Sequence, residues 1–257
     1  MDGRESHAGG VTIAVWTAAE RPDLWERGIP SAQVWPEYNL HGDVLNPLWN
    51  RLAEELAAFQ FVLYDDEADA VLAEGHTGPF FWDGDEDSLP PGIDDALIAV
   101  LAPGRSPGVP NTLCALAAEV PRDGRQRGLA GELLAGMRSV GQRQGLRHFV
   151  APVRPSWKER YPLAPIERYV TWRRPDGSLL DPWMRLHERL GARVSRPLSR
   201  SMKISGSVAE WETWTGLVFL ESGEYVFPEG LATVTIDRER DVGTYFEPNV
   251  WMIHPDL

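Results

Sequence analysis

Glu74 and His76 stand two residues apart in the run Ala70-Val71-Leu72-Ala73-Glu74-Gly75-His76, whose apolar character predicts a strand. A period of two puts both side chains on one face. A carboxylate beside an imidazole is equipped to remove a proton; the same pair also serves as a plain polar contact at a sheet end. A second place for chemistry lies between Cys114 and Gly145. An apolar run, Leu113 to Val120, meets the turn Pro121-Arg122-Asp123-Gly124. The chain then opens through Arg125-Gln126-Arg127-Gly128-Leu129-Ala130 into a helical pattern. The first N–H groups of a helix lack intrahelical partners, and the helix dipole favours negative charge there, so a phosphate can settle at such a junction. Gly128 and Ala130 keep bulky side chains out of its way. Arg122, Arg125 and Arg127 bring positive charge into a chain that is otherwise acidic. An ordinary strand–turn–helix with a solvated basic turn would read the same.

The elements around these residues follow from periodicity. Leu129, Leu133, Leu134, Met137 and Val140 recur at spacings of three and four, one face of a helix, with Gly145 as its C-terminal cap. Val11–Trp16 predicts a first strand. A proline-rich segment follows and carries Val34-Trp35-Pro36-Glu37-Tyr38, a loop suited either to grip a ligand or to pack Trp35 inside. Asn46–Phe59 predicts a helix, and Phe61–Tyr64 pairs with Ala70–His76 as a hairpin. Residues 82–110 form an insertion holding a short helix, Ile93–Leu101. His148–Val153 closes a βαβ unit with the run before the turn, which requires a parallel pair. A long connection over residues 154–180 comes next. Asp181 as N-cap and Pro182 at the first position then open a helix that Gly191 ends. Ser199–Ser205 is a strand, and Ser207-x-x-Glu210 is a capping box. Glu224–Phe227, Ala232–Ile236 and Thr244–Phe246 predict further strands, and Asn249–His254 a docked closing segment. Residues 1–10 read as a flexible tail and residues 11–257 as a single domain.

Composition narrows the class. The chain has 257 residues, 43% of them hydrophobic, enough for a real core. A formal net charge of −13 argues against a nucleic-acid surface, which needs a basic stripe. It suits a cationic substrate such as an amine. No run approaches the about 20 apolar residues of a membrane span. The single cysteine, Cys114, excludes an internal disulfide and makes the cytoplasm the default compartment. No two of the six histidines stand at metal-ligand spacing, so no zinc site or other metal is expected.

Arg125-x-x-Gly128-x-Ala130, between its strand and its amphipathic helix, resembles the acyl-CoA signature of the GNAT superfamily of acyltransferases. That resemblance implies a mixed-sheet α/β fold, here with insertions and a C-terminal extension, and acetyl-CoA as acyl donor. It implies that the strand edge around Ala118 and Val120 pairs with the pantetheine arm. Arg125, Gln126, Arg127, Gly128, Leu129 and Ala130 would then wrap the pyrophosphate. Glu119, at the strand end, matches the place where an acid sometimes acts as general base; otherwise it is a solvated strand end. His187 lies four residues before Gly191, where the family often places a Tyr that protonates the leaving thiolate. An imidazole titrates near pH 6.5, far below a phenol at about 10, yet a neutral imidazole can still donate a proton if its tautomer is held. Ala192 stands where an aromatic residue is common. The expected activity is N-acetyl transfer to a small-molecule amine, with Glu119, or Glu74 and His76, assisting deprotonation. A homodimer is compatible with this scheme. Two other readings share the fold: a non-catalytic acyl-CoA-binding module, and an enzyme that uses a carrier-protein thioester or decarboxylates acyl groups.

Overall fold

The computed structural model describes residues 5–8, 11–29, 34–102, 104, 107–121 and 128–257. Ten described strands form one mixed sheet. They are β1 (Glu5–Ala8), β2 (Val11–Thr17), β3 (Gln60–Asp65), β4 (Ala70–Phe80), β5 (Thr112–Glu119), β6 (His148–Val153), β7 (Arg193–Gly206), β8 (Gly223–Tyr225), β9 (Val234–Asp237) and β10 (Val242–Ile253). The order runs β1-β2-β3-β4-β5-β6-β10-β9-β8, with β7 along the other edge of β10. Every neighbouring pair is antiparallel except β5 and β6, the parallel pair the βαβ pattern requires.

Helices cover both faces. On one lie α5 (Leu129–Arg143), α6 (Ile166–Tyr169) and α7 (Pro182–Arg189), packed on Phe61, Leu113 and Phe149. The predicted stripe of α5 is buried in this layer. On the other lie α2 (Leu45–Trp49), α3 (Arg51–Glu55), α4 (Ile93–Leu101) and α8 (Val208–Thr215), around Trp211, Tyr245 and Trp251. A six-residue helix, α1 (Pro22–Arg27), follows β2. The insertion at residues 82–110 is part of this second layer: Gly78 of β4 approaches α4 so closely that a Cβ there would lie 2.2 Å from a Val100 methyl.

The phenyl ring of Phe61 fixes which way the candidate residues of β4 point. A Cβ on Gly75 would lie 2.3 Å from this ring, and a Cβ on Gly136 of α5 would lie 2.6 Å from it. Gly75 therefore faces α5, and the alternation of the strand turns Glu74 and His76 to the opposite face.

Four expectations are corrected. The helix expected over Asn46–Phe59 is two short helices and a 3₁₀ turn at Ala57–Phe59; it ends at Leu56, whose φ of −131° leaves the helical region. The N-terminal tail includes β1, paired with β2. β4 and β7 run beyond their expected ends. Thr244–Phe246 and the closing segment Asn249–His254, read separately, are one strand: the closing segment is docked, as expected, and all but His254 belongs to β10, which pairs with both β6 and β7.

Candidate active site

The parallel join is short. Among the described residues β5 and β6 pair only through Thr112, Leu113 and Cys114 against His148, Phe149 and Val150. Beyond it both strands continue without each other, so the edge of β5 from Ala115 to Glu119 that faces β6 has no strand partner. A bulge accompanies the parting. His76 of β4 stands opposite Ala117 and Thr77 opposite Ala115, so Leu116 is one residue too many. Such an extra residue bends its strand and increases the local twist. The result is a slot whose β5 wall carries backbone donors and acceptors seeking partners. An extended amide-bearing chain such as pantetheine would satisfy them.

At the open end of this slot, register brings three expected residues together. Glu119 is the last residue of β5 and stands opposite Glu74 of β4. His76 Nε2 lies 3.8 Å from Glu74 Oε2 and 3.7 Å from Glu119 Oε1. His76 is 5% exposed, and its Nε2 has no hydrogen-bond partner among the described residues. Two carboxylates held there by the neighbouring backbone and ring need explaining. Glu74 Oε1 accepts from the N–H of Ile29 at 2.6 Å, in the turn after α1 that Gly28 makes at a φ of 60°. Glu119 Oε1 accepts from Trp35 Nε1 at 2.8 Å. Trp25 packs edge-on to the imidazole with centroids 5.4 Å apart, and Trp49 leans on it at 5.0 Å. Burial lowers the His76 pKa, against the pull of Glu119, so the ring is neutral with a nitrogen free to accept or donate. Burial raises the Glu74 pKa; the Ile29 N–H opposes that and the charge of Glu119 adds to it.

His187 is not part of this cluster. It is 1% exposed on α7, in the layer over the other face of the sheet. Its Nδ1 lies 2.8 Å from His254 Nε2, Trp183 stands edge-on to its ring, and Nε2 has no hydrogen-bond partner among the described residues. Burial, and then His254, push it well below the usual range, so it too is neutral.

The expected cofactor loop is described only in part. Arg125, Gln126 and Arg127 lie outside the described residues. Gly128 is exposed at the N-cap of α5 with a φ of 78°, a conformation suited to glycine. Val120 and Leu129 are buried in the α5 layer and Ala118 packs against it, so any contact from Val120 or Leu129 to a ligand must come from the backbone. Ala130 is half-buried in the first turn of the helix. Sequence reasoning missed Trp25 and Trp49, which sit far from Glu119 in the chain. It also missed an ion pair past the end of β6, where Arg154 Nε donates to Glu247 Oε1 at 2.9 Å and Arg154 Nη2 donates to Tyr38 Oη at 2.9 Å.

No family model matches the chain. Among curated proteins, the arginine N-acetyltransferase avaD of Aspergillus versicolor is 30% identical over 290 aligned positions, covering 99% of each chain. Among solved structures, the loading GNATL domain of CurA from Lyngbya majuscula superposes with a TM-score of 0.58 at 17% identity, over 95% of this chain and 97% of that one. The GphF GNAT-like decarboxylase in complex with isobutyryl-CoA gives 0.55 at 17% identity, over 95% and 98%. At such identities these two structures speak for the fold.

Proposed function

Because the chain belongs to the GNAT superfamily and is an acyl-CoA-dependent N-acyltransferase, we propose that it moves acetyl from acetyl-CoA to the amine of a small cationic acceptor. Arginine, the acceptor in its relative's name, is the first to test. The observation that carries this reading is the convergence of His76 Nε2 and two carboxylates at the mouth of the slot.

In this scheme the pantetheine arm lies in the slot as a missing strand, along Ala115–Glu119, with its pyrophosphate at Gly128; Arg125 and Arg127, outside the described residues, are the sequence's candidates for its charge partners. The thioester carbonyl is polarised by an N–H of the β5 edge, fixed by the fold before the reaction begins. The acceptor arrives as an ammonium ion and settles against Glu74 and Glu119, between the walls of Trp25 and Trp49. Two carboxylates attract the cation; the tryptophan faces add cation–π attraction and exclude water. Neutral His76 takes one proton through Nε2. The freed amine attacks the thioester carbon; as the carbonyl reforms and the carbon–sulfur bond breaks, the second proton leaves the nitrogen and ends on the departing sulfur, which is released as free thiol. His187, in the layer over the other face, is assigned to the thiol: in the tautomer in which His254 Nε2–H donates to its Nδ1, its own Nε2–H is a hydrogen-bond donor for the departing sulfur.

The test is release of free thiol from acetyl-CoA across a panel of amines, with arginine included. Amine-dependent release with acetylated product supports the proposal. Coenzyme A binding with no turnover on any acceptor would instead make the chain a binding module. Loss of the acyl group without an amine, or transfer from a carrier-protein thioester alone, would favour the third reading.

A further inference from the structure

Glu74, His76 and Glu119 also meet the requirements of a metal centre. One ligand atom from each lies within 4.8 Å of the others. Zinc bonds nitrogen and carboxylate oxygen at about 2.0–2.2 Å, which sets neighbouring ligands of a tetrahedral site about 3.4 Å apart. The two separations from His76 Nε2, 3.7 and 3.8 Å, are within a few tenths of that spacing. The two carboxylates repel each other, and a cation joining them would draw their oxygens, which lie within 4.8 Å of each other, inward.

Three further features fit a metal and not merely a cluster of acids. His76 Nε2 is buried and has no hydrogen-bond partner among the described residues, although it faces both carboxylates. Each carboxylate is already aimed by a hydrogen bond from elsewhere, Glu74 through Oε1 by the Ile29 N–H and Glu119 through Oε1 by the Trp35 indole. Such outer partners orient metal ligands. The formal charge of the set, two carboxylates and a neutral ring, is what a divalent ion neutralises.

We infer that Glu74, His76 and Glu119 bind a divalent transition-metal ion, with zinc the best match, and that the bound ion blocks the acceptor site. The blocking clause rests on the acceptor position proposed above; the binding clause does not. Three protein ligands leave a fourth position open, on the side where an amine would enter. The ion is an inhibitor and not a cofactor, because a nitrogen bonded to it has no lone pair with which to accept a proton.

The experiment uses the full chain, stripped with a chelator and titrated with Co²⁺, whose tetrahedral complexes absorb visible light. One equivalent should produce that absorption and Zn²⁺ should abolish it. His76→Ala should weaken Co²⁺ binding at least about 100-fold, and Glu119→Gln or Glu74→Gln about 10- to 100-fold. His148→Ala, which removes a half-buried histidine paired with Asp256, should leave binding unchanged. If His76→Ala fails to fold by circular dichroism, the two Gln variants decide. No absorption at one equivalent, or variants binding as tightly as the parent, overturns the site. In the acetyl-transfer assay Zn²⁺ should raise KM for the amine and not for acetyl-CoA, and the stripped enzyme should be fully active. Restoration of lost activity by added metal would overturn the inhibitory role. A cobalt spectrum without any acetyl transfer would leave the metal site standing and remove only the acceptor reading.

Discussion

At the scale of the residue, the neutral imidazole of His76 between two carboxylates is the most consequential arrangement in the molecule. General-base assistance is typically worth 10²–10⁴ in rate. His76→Ala is therefore expected to cut kcat about 100-fold or more in the acetyl-transfer assay, with acetyl-CoA affinity unchanged. An unchanged kcat would remove His76 from the chemistry. His187→Phe separates the other role: loss of a thiol donor lowers kcat, about 10-fold or more, whereas a packing residue leaves turnover intact and shows only in the melting temperature. The pairing of Glu74 with His76 was legible in the sequence because the strand period is two. Glu119 joins them only through the β4–β5 register, which depends on a bulge at Leu116 that no local pattern announces. The tryptophan walls, Trp25 and Trp49, come from segments read for their own helices and loops, and nothing local ties them to the strand they frame.

At the scale of the element, helices with a clean apolar period were readable nearly to the residue: α4 begins and ends where Ile93 and Leu101 predict. Strands were cut short where proline stood inside them. β4 passes through Pro79, β7 through Pro197 and β10 through Pro248. A proline removes a ladder donor and usually marks an edge, an end or a bulge. In β10 the register shifts between Glu247 and Asn249, so Pro248 occupies the irregularity and the strand resumes beyond it. Phe61 gives an element-scale prediction. Gly75→Ala and Gly136→Ala each press on its ring from opposite sides, and each should cost about 1–3 kcal/mol by overpacking. Because they share one ring, the double variant should depart from additivity by more than about 0.5 kcal/mol. Chemical denaturation of the four proteins checks this, and strict additivity would mean that the ring is not their common contact.

At the scale of the whole molecule, buried polar groups make stability depend on pH. Burial lowers the His254 pKa to about 4 and holds His187 well below 6.5. An unfolded chain binds these protons near pH 6.5, and the native one only at lower pH. Stability is thus present above pH 6.5 and lost as pH falls toward 4, by about 3 kcal/mol for His254 at roughly 1.4 kcal/mol per unit. The melting temperature should fall over that window, and a His187→Leu, His254→Leu double variant should flatten the fall. Arg154→Leu should cost roughly 3–5 kcal/mol, since it strands Glu247, which is only 3% exposed, without its partner. A loss below 1 kcal/mol in denaturant melts would contradict that.

The three-rung join of β5 and β6 has a mechanical consequence. Within the sheet, strands β1 to β5 meet strands β6 to β10 along a ladder only three residues tall among the described residues, and a donor lying beyond it would act as a splint. The molecule without its donor should breathe along this line, its amide hydrogens near Ala115–Glu119 and Ala151–Val153 trading with solvent faster than those of the outer strands. Saturation with donor at 100 times its dissociation constant would add about 2.7 kcal/mol by mass action, and the slowing of exchange should be concentrated on both sides of the seam.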